Sequence, residues 1–336
     1  MEFKEFTAGE DDNDRRLDRV IRKIAEKENL SGLYKAIRKG LVRLNGKKTD
    51  VSEHIFKGDK IRIPDFLLKN EDENSSLETS QKSDSKIEPE KTKADFQIIF
   101  QNEDFLVINK PYDILVHGAS NSIEKSVAEF YRNNFLQKKS ISFTPGPLHR
   151  LDRKTTGILA FSMSLTGARW FSENIANHSI RKIYSAVVQG KVLEPQCWTD
   201  YISKEYSEEK SFQTVKVYAA DEKPEKSAGQ KKSLLAKTKI FPVKYFEYKK
   251  NPCTLVNIEI ETGRTHQIRS QAAFHGFPLL GDTTYGGTKI SSEQDFFLHA
   301  KTLIFPEERL PGLPEKLEAN LPFAFEKFCK THLLNI

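Results

Sequence analysis

The segment 69–95 divides this chain, because it holds too few apolar side chains to join a folded core. It contains no aromatic residue, and its apolar side chains are limited to Leu77, Ile87 and Ala94. A segment of this composition cannot bury enough surface to offset the entropy lost on folding. We therefore predict a small domain at 1–68, a flexible charged linker at 69–95 and a large domain at 96–336.

The composition sets broad limits on function. The chain has 336 residues, of which 38% are hydrophobic and 10% aromatic, enough for a packed core. Its net charge of +6 is compatible with a polyanionic partner. Three distant cysteines have neither zinc-ligand nor disulfide-framework spacing, which fits a reducing cytoplasm (Cys197, Cys253 and Cys329). We expect no metal site, no signal peptide and no membrane span, because the chain lacks the required motifs and apolar runs.

The region 1–68 carries a coarse pattern of helix, helix, hairpin and strand. Apolar residues at helical spacing predict the first helix (Leu17, Val20, Ile21 and Ile24). We expect Ser31 to cap the second helix and Gly40 to end it. Asn45-Gly46 predicts a tight type I′ turn, and the alternating residues 54–64 predict one strand that Pro64 stops.

Charge in this region is uneven. Between Ser31 and Ile63 there are nine cations and three anions. The cations are Lys35, Arg38, Lys39, Arg43, Lys47, Lys48, Lys57, Lys60 and Arg62. Several of them fall on one short helix and the hairpin after it, a shape suited to a phosphate backbone. Charge alone does not separate this interpretation from a solvated basic face.

The order of residues in this region resembles an S4 domain, a small RNA-binding module. The resemblance rests on Arg16-Leu17-Asp18, the run from Lys35 to Gly46, and Gly58-Asp59. It implies RNA contact through the second helix and the following turn. The residues so implicated are Lys35, Arg38, Lys39, Lys47 and Lys48, with Arg19 as a secondary candidate.

In the large domain, the stretch HRLDRKTTG at 149–157 places one carboxylate, Asp152, among cations just ahead of an apolar run. We expect Asp152 to lie on a loop that leads into a buried strand, where reactive groups are often found. Taken alone, Asp152 is more simply a turn or cap residue. Two other stretches offer partners for it: the strand pattern 180–190 around Tyr184, and the donor-rich GRTHQIR at 263–269. A strand tyrosine is by itself usually a packing residue.

Five motifs occur in the order typical of RluA-type pseudouridine synthases, and the match runs from about Phe96 to about Phe305. They are HRLDRKTTG, RKIYSAVVQG, TGRTHQIR, GFPLLGDTTYG and FLHA. The resemblance implies that Asp152 is catalytic, that Tyr184 stacks on the target base and that Arg269 pairs with Asp152. It implies that Arg150 helps to displace the flipped uridine, and it leaves Arg153 and Lys154 to meet phosphate. The family needs no metal and no organic cofactor.

The chemistry that the resemblance implies is consistent with a single essential carboxylate. A glycosidase usually needs a second carboxyl group to protonate a base that leaves for good. In pseudouridine formation the uracil stays bound and rejoins the sugar. Asp152 could attack the anomeric carbon or take a sugar proton, and the sequence does not decide between them. Ser270-Gln271 departs from the family pattern after Arg269, and the charged stretch 202–233 has no assigned role.

We therefore predict an α+β protein: an S4-like module, a linker and a catalytic domain built on a mixed, largely antiparallel sheet. The expected partner of this monomer is RNA, with large-subunit (23S) ribosomal RNA favoured because S4-bearing members of the family mostly act there, and transfer RNA second. A catalytically silent RNA-binding assembly factor and a base-releasing RNA glycosylase remain the alternatives from other classes.

Overall fold

The computed structural model describes residues 2–25, 29–68, 96–119, 122–134, 140–207, 212–222 and 233–333. The predicted linker 69–95 lies outside these residues. Contacts divide the chain into two compact units. The first unit comprises Met1–Lys93, Ala128–Pro145 and Ser164–Thr166, and the second comprises Ala94–Val127, Gly146–Met163 and Gly167–Ile336. The first unit thus takes in two short segments that follow residue 95 in the chain.

The described N-terminal part of the first unit holds six strands, two α-helices and two short 3-10 helices. The strands are β1 (Phe3–Thr7), β2 (Arg15–Arg16), β3 (Arg43–Leu44), β4 (Lys47–Lys48), β5 (His54–Ile55) and β6 (Lys60–Pro64). The helices are α1 (Leu17–Ile24) and α2 (Leu30–Arg38). Four strands form one sheet in the order β1-β6-β3-β4, and β2 pairs with β5. The apolar face of α1 and the inner residues of α2 and β6 share one buried cluster.

Local sequence signals explain most of these elements, with two corrections. Asn45 (φ 49°) and Gly46 (φ 76°) both adopt the left-handed conformation that a type I′ turn requires. Gly40 follows α2 with a φ of 72°, as expected of a residue that ends a helix. The expected cap at Ser31 is wrong. Asn29 caps α2 instead, because its side-chain oxygen accepts the Gly32 N–H at 2.8 Å.

The second correction concerns residues 54–64, which form two strands rather than one. A turn at 56–59 separates β5 from β6, and Gly58 sits in it with a φ of 92°. The Asp59 carboxylate accepts the Phe56 N–H at 2.7 Å, which stabilises that turn. Alternation of apolar residues on both sides of the turn hides it from a pattern analysis. Strand β1, which pairs with β6, was also missed.

The later segments of the first unit are tied to its N-terminal residues by buried carboxylates. Asp12 accepts hydrogen bonds from the hydroxyls of Ser140 (2.5 Å) and Ser142 (2.6 Å). Its other oxygen accepts the backbone N–H of Ile141 at 2.9 Å. Arg15 donates to the Ser142 hydroxyl at 2.6 Å. These bonds explain why 140–145 groups with the N-terminal residues, whereas the sequence analysis placed everything after 95 in one domain.

The second unit is built on one sheet of eleven strands. They are β7 (Gln97–Gln101), β8 (Phe105–Lys110), β9 (Gly146–Pro147), β10 (Thr156–Ser162), β11 (Arg181–Gln189), β12 (Gln196–Ser207), β13 (Phe212–Ala219), β14 (Leu234–Tyr248), β15 (Asn251–Ile260), β16 (Leu298–Ile304) and β17 (Lys316–Glu318). The main order is β13-β12-β14-β15-β11-β16-β10-β8-β7, with β17 on β16 and β9 on β10.

All pairings among the described strands are antiparallel except that of β10 with β16. The remaining helices are α3 (Ile123–Asn134), α4 (Leu165–Ala176), α5 (Gln267–Phe274) and α6 (Phe323–Leu333). The mixed, largely antiparallel sheet with helices is thus confirmed. In the charged stretch 202–233, β12 and β13 form a hairpin, while most of its expected exposed loop, 223–232, lies outside the described residues. No helix in the described part of the chain is long and apolar enough to cross a membrane.

Candidate active site

Asp152 lies on the loop between β9 and β10, as the sequence predicted. Its side chain is 16% exposed and lines a cavity of about 360 Å³ in the second unit. The loop leads into β10, which is buried along its whole length. Asp152 therefore lies just before a buried strand of the sheet, and its side chain still reaches a cavity that can accept a ligand.

Lys110 stabilises this loop through hydrogen bonds to its backbone. It ends strand β8, is fully buried, and donates hydrogen bonds to the carbonyl oxygens of Pro111 (2.9 Å), Arg153 (3.0 Å) and Thr155 (2.8 Å). Burial lowers its pKa to about 7, a shift that the charge of Asp152 partly opposes. The sequence analysis missed Lys110, because nothing local distinguishes it from the other lysines of the chain.

The start of β10 is also fixed closely. Gly157 has a φ of 111°, and a Cβ placed there would lie 2.2 Å from the carbonyl oxygen of Ala300 on β16. Only glycine fits such an approach. The Thr156 hydroxyl bonds His299 Nδ1 at 2.9 Å, and His299 Nε2 lies 3.2 Å from the Ala319 carbonyl oxygen. The loop carrying Asp152 is thus anchored at the end that enters β10.

Arg269 on α5 lies beside Asp152, but its closest partner is another carboxylate. Its Nη1 is 3.8 Å from Asp152 Oδ2. Its Nε and Nη2 donate to the two oxygens of Asp282 at 2.6 and 2.9 Å. Burial disfavours the charged form, yet the hydrogen bonds and charge of Asp282 outweigh it, so the pKa of Arg269 is raised. The expected pair is therefore a loose contact, and Asp282 is what orients the guanidinium.

Two aromatic rings also lie close to the Arg269 guanidinium. Its central carbon lies 4.7 Å from the ring centre of Phe296 and 5.1 Å from that of Tyr285. Asp282 and Tyr285 both belong to the GDTTYG stretch. The order of motifs drew attention to this stretch but assigned no residue in it. The signal that could have identified Asp282 is a lone acid in an otherwise uncharged stretch.

Tyr184 stands in the middle of β11, as predicted, and lines the same cavity. It is 6% exposed, and burial raises its pKa, so the phenol stays neutral. Arg150 also lines the cavity and is exposed to solvent. The structure therefore brings together the four residues that the sequence singled out, namely Asp152, Arg150, Tyr184 and Arg269.

His266 is another polar residue that lines the cavity. Its Nε2 lies 3.9 Å from Asp152 Oδ2, and its Nδ1 lies 2.8 Å from the Tyr285 hydroxyl. It directly precedes α5 and has left-handed backbone angles (φ 52°, ψ 21°). Burial lowers its pKa, so the imidazole is neutral near pH 7. The sequence analysis quoted this histidine within GRTHQIR without giving it a role.

The two cations that follow Asp152 already have partners. Arg153 Nη2 donates to the Asp113 carboxylate at 2.9 Å, and Lys154 bonds the Asp295 carboxylate. All four side chains are exposed, so these ion pairs are weak and a phosphate group can compete for the cations.

The basic residues singled out in the first unit are all exposed. Lys35 and Arg38 lie on α2, and Lys39 directly follows it. All three line one surface depression with Tyr34. Lys47 and Lys48 form β4, and Arg19 projects from α1. Gly40 brings the end of α2 near the Lys48 stem, since a Cβ on Gly40 would lie 3.6 Å from the Lys48 Cγ. The described residues contain no group of His, Cys, Asp or Glu side chains that could bind a metal ion.

Comparison with known proteins agrees with this geometry. The RNA pseudouridylate synthase family matches residues 104–274. A ribosomal large subunit pseudouridine synthase C of Buchnera aphidicola is 30% identical over 286 residues, covering 82% of this chain and 79% of the relative. A tRNA pseudouridine synthase C of Vibrio cholerae is 32% identical over 216 residues, covering 62% of this chain and 84% of the relative.

A solved structure supports the fold. The human RNA Pseudouridylate Synthase Domain Containing 4 superposes with a TM-score of 0.52 at 21% identity, covering 70% of this chain and 92% of that one. The region that matches the RNA pseudouridylate synthase family, 104–274, includes the Asp152 loop, Tyr184 on β11 and Arg269 on α5. The chain belongs to the RluA-type family of RNA pseudouridine synthases, which are isomerases.

Proposed function

We propose that this enzyme converts specific uridines of large-subunit (23S) ribosomal RNA into pseudouridine, with Asp152 as its catalytic residue. One observation carries the assignment of Asp152. It is the carboxylate that lines the cavity next to a buried guanidinium, 3.8 Å from Arg269 Nη1. A guanidinium at this distance can orient the carboxylate, and a carboxylate so placed can act as a nucleophile or a base.

The isomerisation balances without any added reagent. The bond from C1′ to N1 breaks, the uracil turns, and a bond from C1′ to C5 forms. A hydrogen leaves C5 and N1 gains one. Asp152 would assist either by attacking C1′ or by taking a sugar proton, and both routes use one carboxylate.

The position of Asp282 supports isomerisation over base release. A glycosidase needs a second carboxyl group that can protonate the departing base. Glu261 lines the cavity, but Lys239 pairs with it at 3.0 Å and lowers the pKa of its carboxyl group. Both oxygens of Asp282 bond Arg269, and its side chain is only 2% exposed. Both carboxylates are therefore already paired with cations, which disfavours either of them as the acid that protonates a departing base.

The remaining cavity residues fit the handling of an extruded base. Moving a uridine out of a stacked RNA takes a few kcal/mol. We propose that Tyr184 forms the platform on which the base stacks, a contact worth about 1–3 kcal/mol. Arg150, exposed at the cavity, would fill the space that the base leaves in the RNA.

Ribosomal RNA is the preferred substrate because the alignment with the ribosomal RNA enzyme covers more of this chain than the alignment with the transfer RNA enzyme. The 286-residue alignment with the Buchnera protein is longer than the region 96–336, so it extends into the N-terminal part of the chain. The 216-residue alignment with the Vibrio tRNA enzyme is shorter than that region and needs no residue outside it. Transfer RNA is therefore the second candidate. We place the activity in the cytoplasm and take the enzyme to be a monomer.

We further propose that residues 1–68 form an S4-like RNA-binding module, with 69–95 as a linker to the catalytic domain at 96–336. Its contacts with phosphate would come from Lys35, Arg38, Lys39, Lys47, Lys48 and Arg19, and Arg153 and Lys154 would add contacts near the site. Replacing Lys35 and Lys39 with Gln should weaken RNA binding and reduce the slope of log K against log salt by about 1 for each lost phosphate contact. Lys330→Gln, at an exposed cation on α6, is the control. Equal slopes in both variants would contradict the module's role.

The substrate and the catalytic residue are tested together in cells lacking the gene. Pseudouridine is mapped chemically in ribosomal and transfer RNA, and the strain is complemented with wild type or Asp152→Asn. We expect large-subunit sites to disappear and only wild type to restore them. Loss confined to transfer RNA would move the substrate to the second candidate. Restoration by Asp152→Asn would contradict the catalytic assignment.

A further inference from the structure

We propose that His266 is a positioning residue for Asp152, acting as a second N–H donor to the same carboxylate oxygen that faces Arg269. This inference rests on the proposed role of Asp152. The supporting observation is that two side-chain nitrogens lie close to one oxygen of Asp152. Arg269 Nη1 lies 3.8 Å and His266 Nε2 lies 3.9 Å from Asp152 Oδ2. With two nitrogens near Oδ2, Oδ1 would be the oxygen that meets the sugar.

The tautomer of His266 follows from its other nitrogen. Nδ1 lies 2.8 Å from the Tyr285 hydroxyl. Burial raises the pKa of Tyr285 to about 12, so the phenol keeps its proton and can donate it to Nδ1. A neutral imidazole that accepts at Nδ1 carries its hydrogen on Nε2. The opposite tautomer would direct a lone pair at the Asp152 carboxylate, which is unfavourable.

The charges around His266 agree with a neutral donor. Asp152 and Asp282 favour protonation of the ring, while Arg269, Arg150 and burial oppose it, and burial is the largest effect. A neutral imidazole can donate an N–H to the carboxylate without adding a full positive charge beside Arg269. The donor distances exceed those of made hydrogen bonds, and such contacts commonly tighten when the substrate binds.

The backbone places this donor on the same element as Arg269. His266 adopts left-handed angles that non-glycine residues seldom occupy, although Asn, Asp and His do so more often than others. Its carbonyl oxygen accepts the Ser270 N–H at 2.9 Å, which makes it the first residue of the turn that opens α5. Arg269 lies three residues further along the chain. One rigid helix start thus presents both donors to Oδ2.

Two substitutions of His266 distinguish a role as N–H donor from a role in maintaining the fold. In His266→Gln, the amide nitrogen takes the place of Nε2 and can still reach Asp152. In His266→Asn, the amide takes the place of Nδ1 and loses the reach, yet Asn tolerates the left-handed conformation well. A structural role therefore favours the Asn variant, and the proposed role favours the Gln variant.

The assay counts tritium released from C5 in RNA that is labelled with 5-tritiated uridine and isolated from cells lacking the gene. We expect kcat to fall about a hundredfold in His266→Asn, the scale of a misplaced catalytic group, and by less than about tenfold in His266→Gln. KM should stay near the wild-type value in both. A kcat for Asn equal to or above that for Gln, or a loss confined to KM, would overturn the proposal.

A second histidine provides a matched control. His178 also has a left-handed backbone (φ 57°), but its Nδ1 lies 2.9 Å from the Glu261 carbonyl oxygen. His178→Asn should lower kcat much less than His266→Asn, and an equal loss would count against a specific role for His266. If His266→Gln does not fold, Tyr285→Phe decides, since removing the hydroxyl frees the tautomer and should lower kcat with KM unchanged. An unchanged kcat in that variant overturns the proposal.

Asp152→Asn distinguishes this inference from the proposed function. If Asp152→Asn keeps its activity, the catalytic assignment fails, and the role of His266 fails with it. If Asp152→Asn is inactive while His266→Asn equals wild type, only the inference about His266 fails.

Discussion

Replacing Asp282 with Asn is expected to be the most damaging isosteric change near the site. Asp282 and Arg269 are both almost fully buried, and two hydrogen bonds of 2.6 and 2.9 Å join them. The Asn amide keeps one acceptor oxygen and turns an N–H group toward the guanidinium. Arg269 would keep its charge, and Asp152, at 3.8 Å, would be its one remaining carboxylate partner among the described residues.

The expected magnitude follows from the two bonds. A hydrogen bond to a charged group contributes about 1.5–3 kcal/mol, and both are weakened or lost here. Breaking a buried ion pair from one side typically lowers the free energy of unfolding by about 3–5 kcal/mol. We expect a loss in that range. We also expect a lower kcat, because the guanidinium that faces Asp152 would no longer be held in place.

Urea unfolding of the full chain measures the stability, and Glu259→Gln is the matched control. Arg181 Nε and Nη2 donate to the two oxygens of Glu259 at 3.0 and 2.8 Å, the same two-bond geometry. The Arg181 side chain is 52% exposed, however. Solvent screening should limit the loss for this control to less than about 1 kcal/mol.

A double mutant completes the test. Arg269→Met removes the charge that Asp282→Asn leaves uncompensated. The two losses together should therefore fall short of their sum by about 2 kcal/mol. If Asp282→Asn costs no more than Glu259→Gln, or if the two losses near the site simply add, the argument from burial is refuted.

Three other predictions concern the support of the Asp152 loop. Lys110→Met should lower the free energy of unfolding by at least about 3 kcal/mol, since three backbone carbonyls lose their donor; a urea-unfolding loss below about 1 kcal/mol would contradict this. Gly157→Ala should lower it by a similar amount or prevent folding, because the Cβ would lie 2.2 Å from the Ala300 carbonyl oxygen, whereas Gly146→Ala, in open space, should have little effect on thermal stability. Burial lowers the pKa of His299 from 6.5 to about 4. Below pH 6.5 the unfolded chain therefore binds a proton at this histidine that the folded chain does not bind. As a result, about 3 kcal/mol of the free energy of unfolding should be lost as the pH falls to 4. Unfolding at several pH values should give a flatter profile for His299→Gln, and an unchanged profile would refute the assignment.

The sequence predicted what depends on neighbours along the chain. Helix α1 follows from apolar spacing, and the turn at Asn45-Gly46 follows from residues that accept a positive φ. The placement of Asp152 before a buried strand was also predictable, since the run 157–161 has no charged residue. The meeting of Asp152, Tyr184 and Arg269 came from the order of family motifs, because no local signal joins residues so far apart in the chain.

What the sequence could not predict depends on partners that lie far away in the chain. Lys110 resembles any lysine until the fold places three carbonyl oxygens around it. Asp282 resembles a turn residue until α5 brings Arg269 against it. The cap at Ser31 was wrong because Asn29, two residues earlier, offers an equally good acceptor, and only the backbone path decides between them.

The bonds of Asp12 with residues 140–142 have a consequence for fragments of this protein. Because Asp12 hydrogen-bonds residues 140–142, the N-terminal residues are held to the later part of the chain by non-covalent contacts as well as by the backbone through 69–95. A protease that cuts within 69–95 should therefore yield two pieces that stay together on gel filtration and separate only in denaturant. A gene split in that segment should, for the same reason, yield two polypeptides that assemble when they are expressed together.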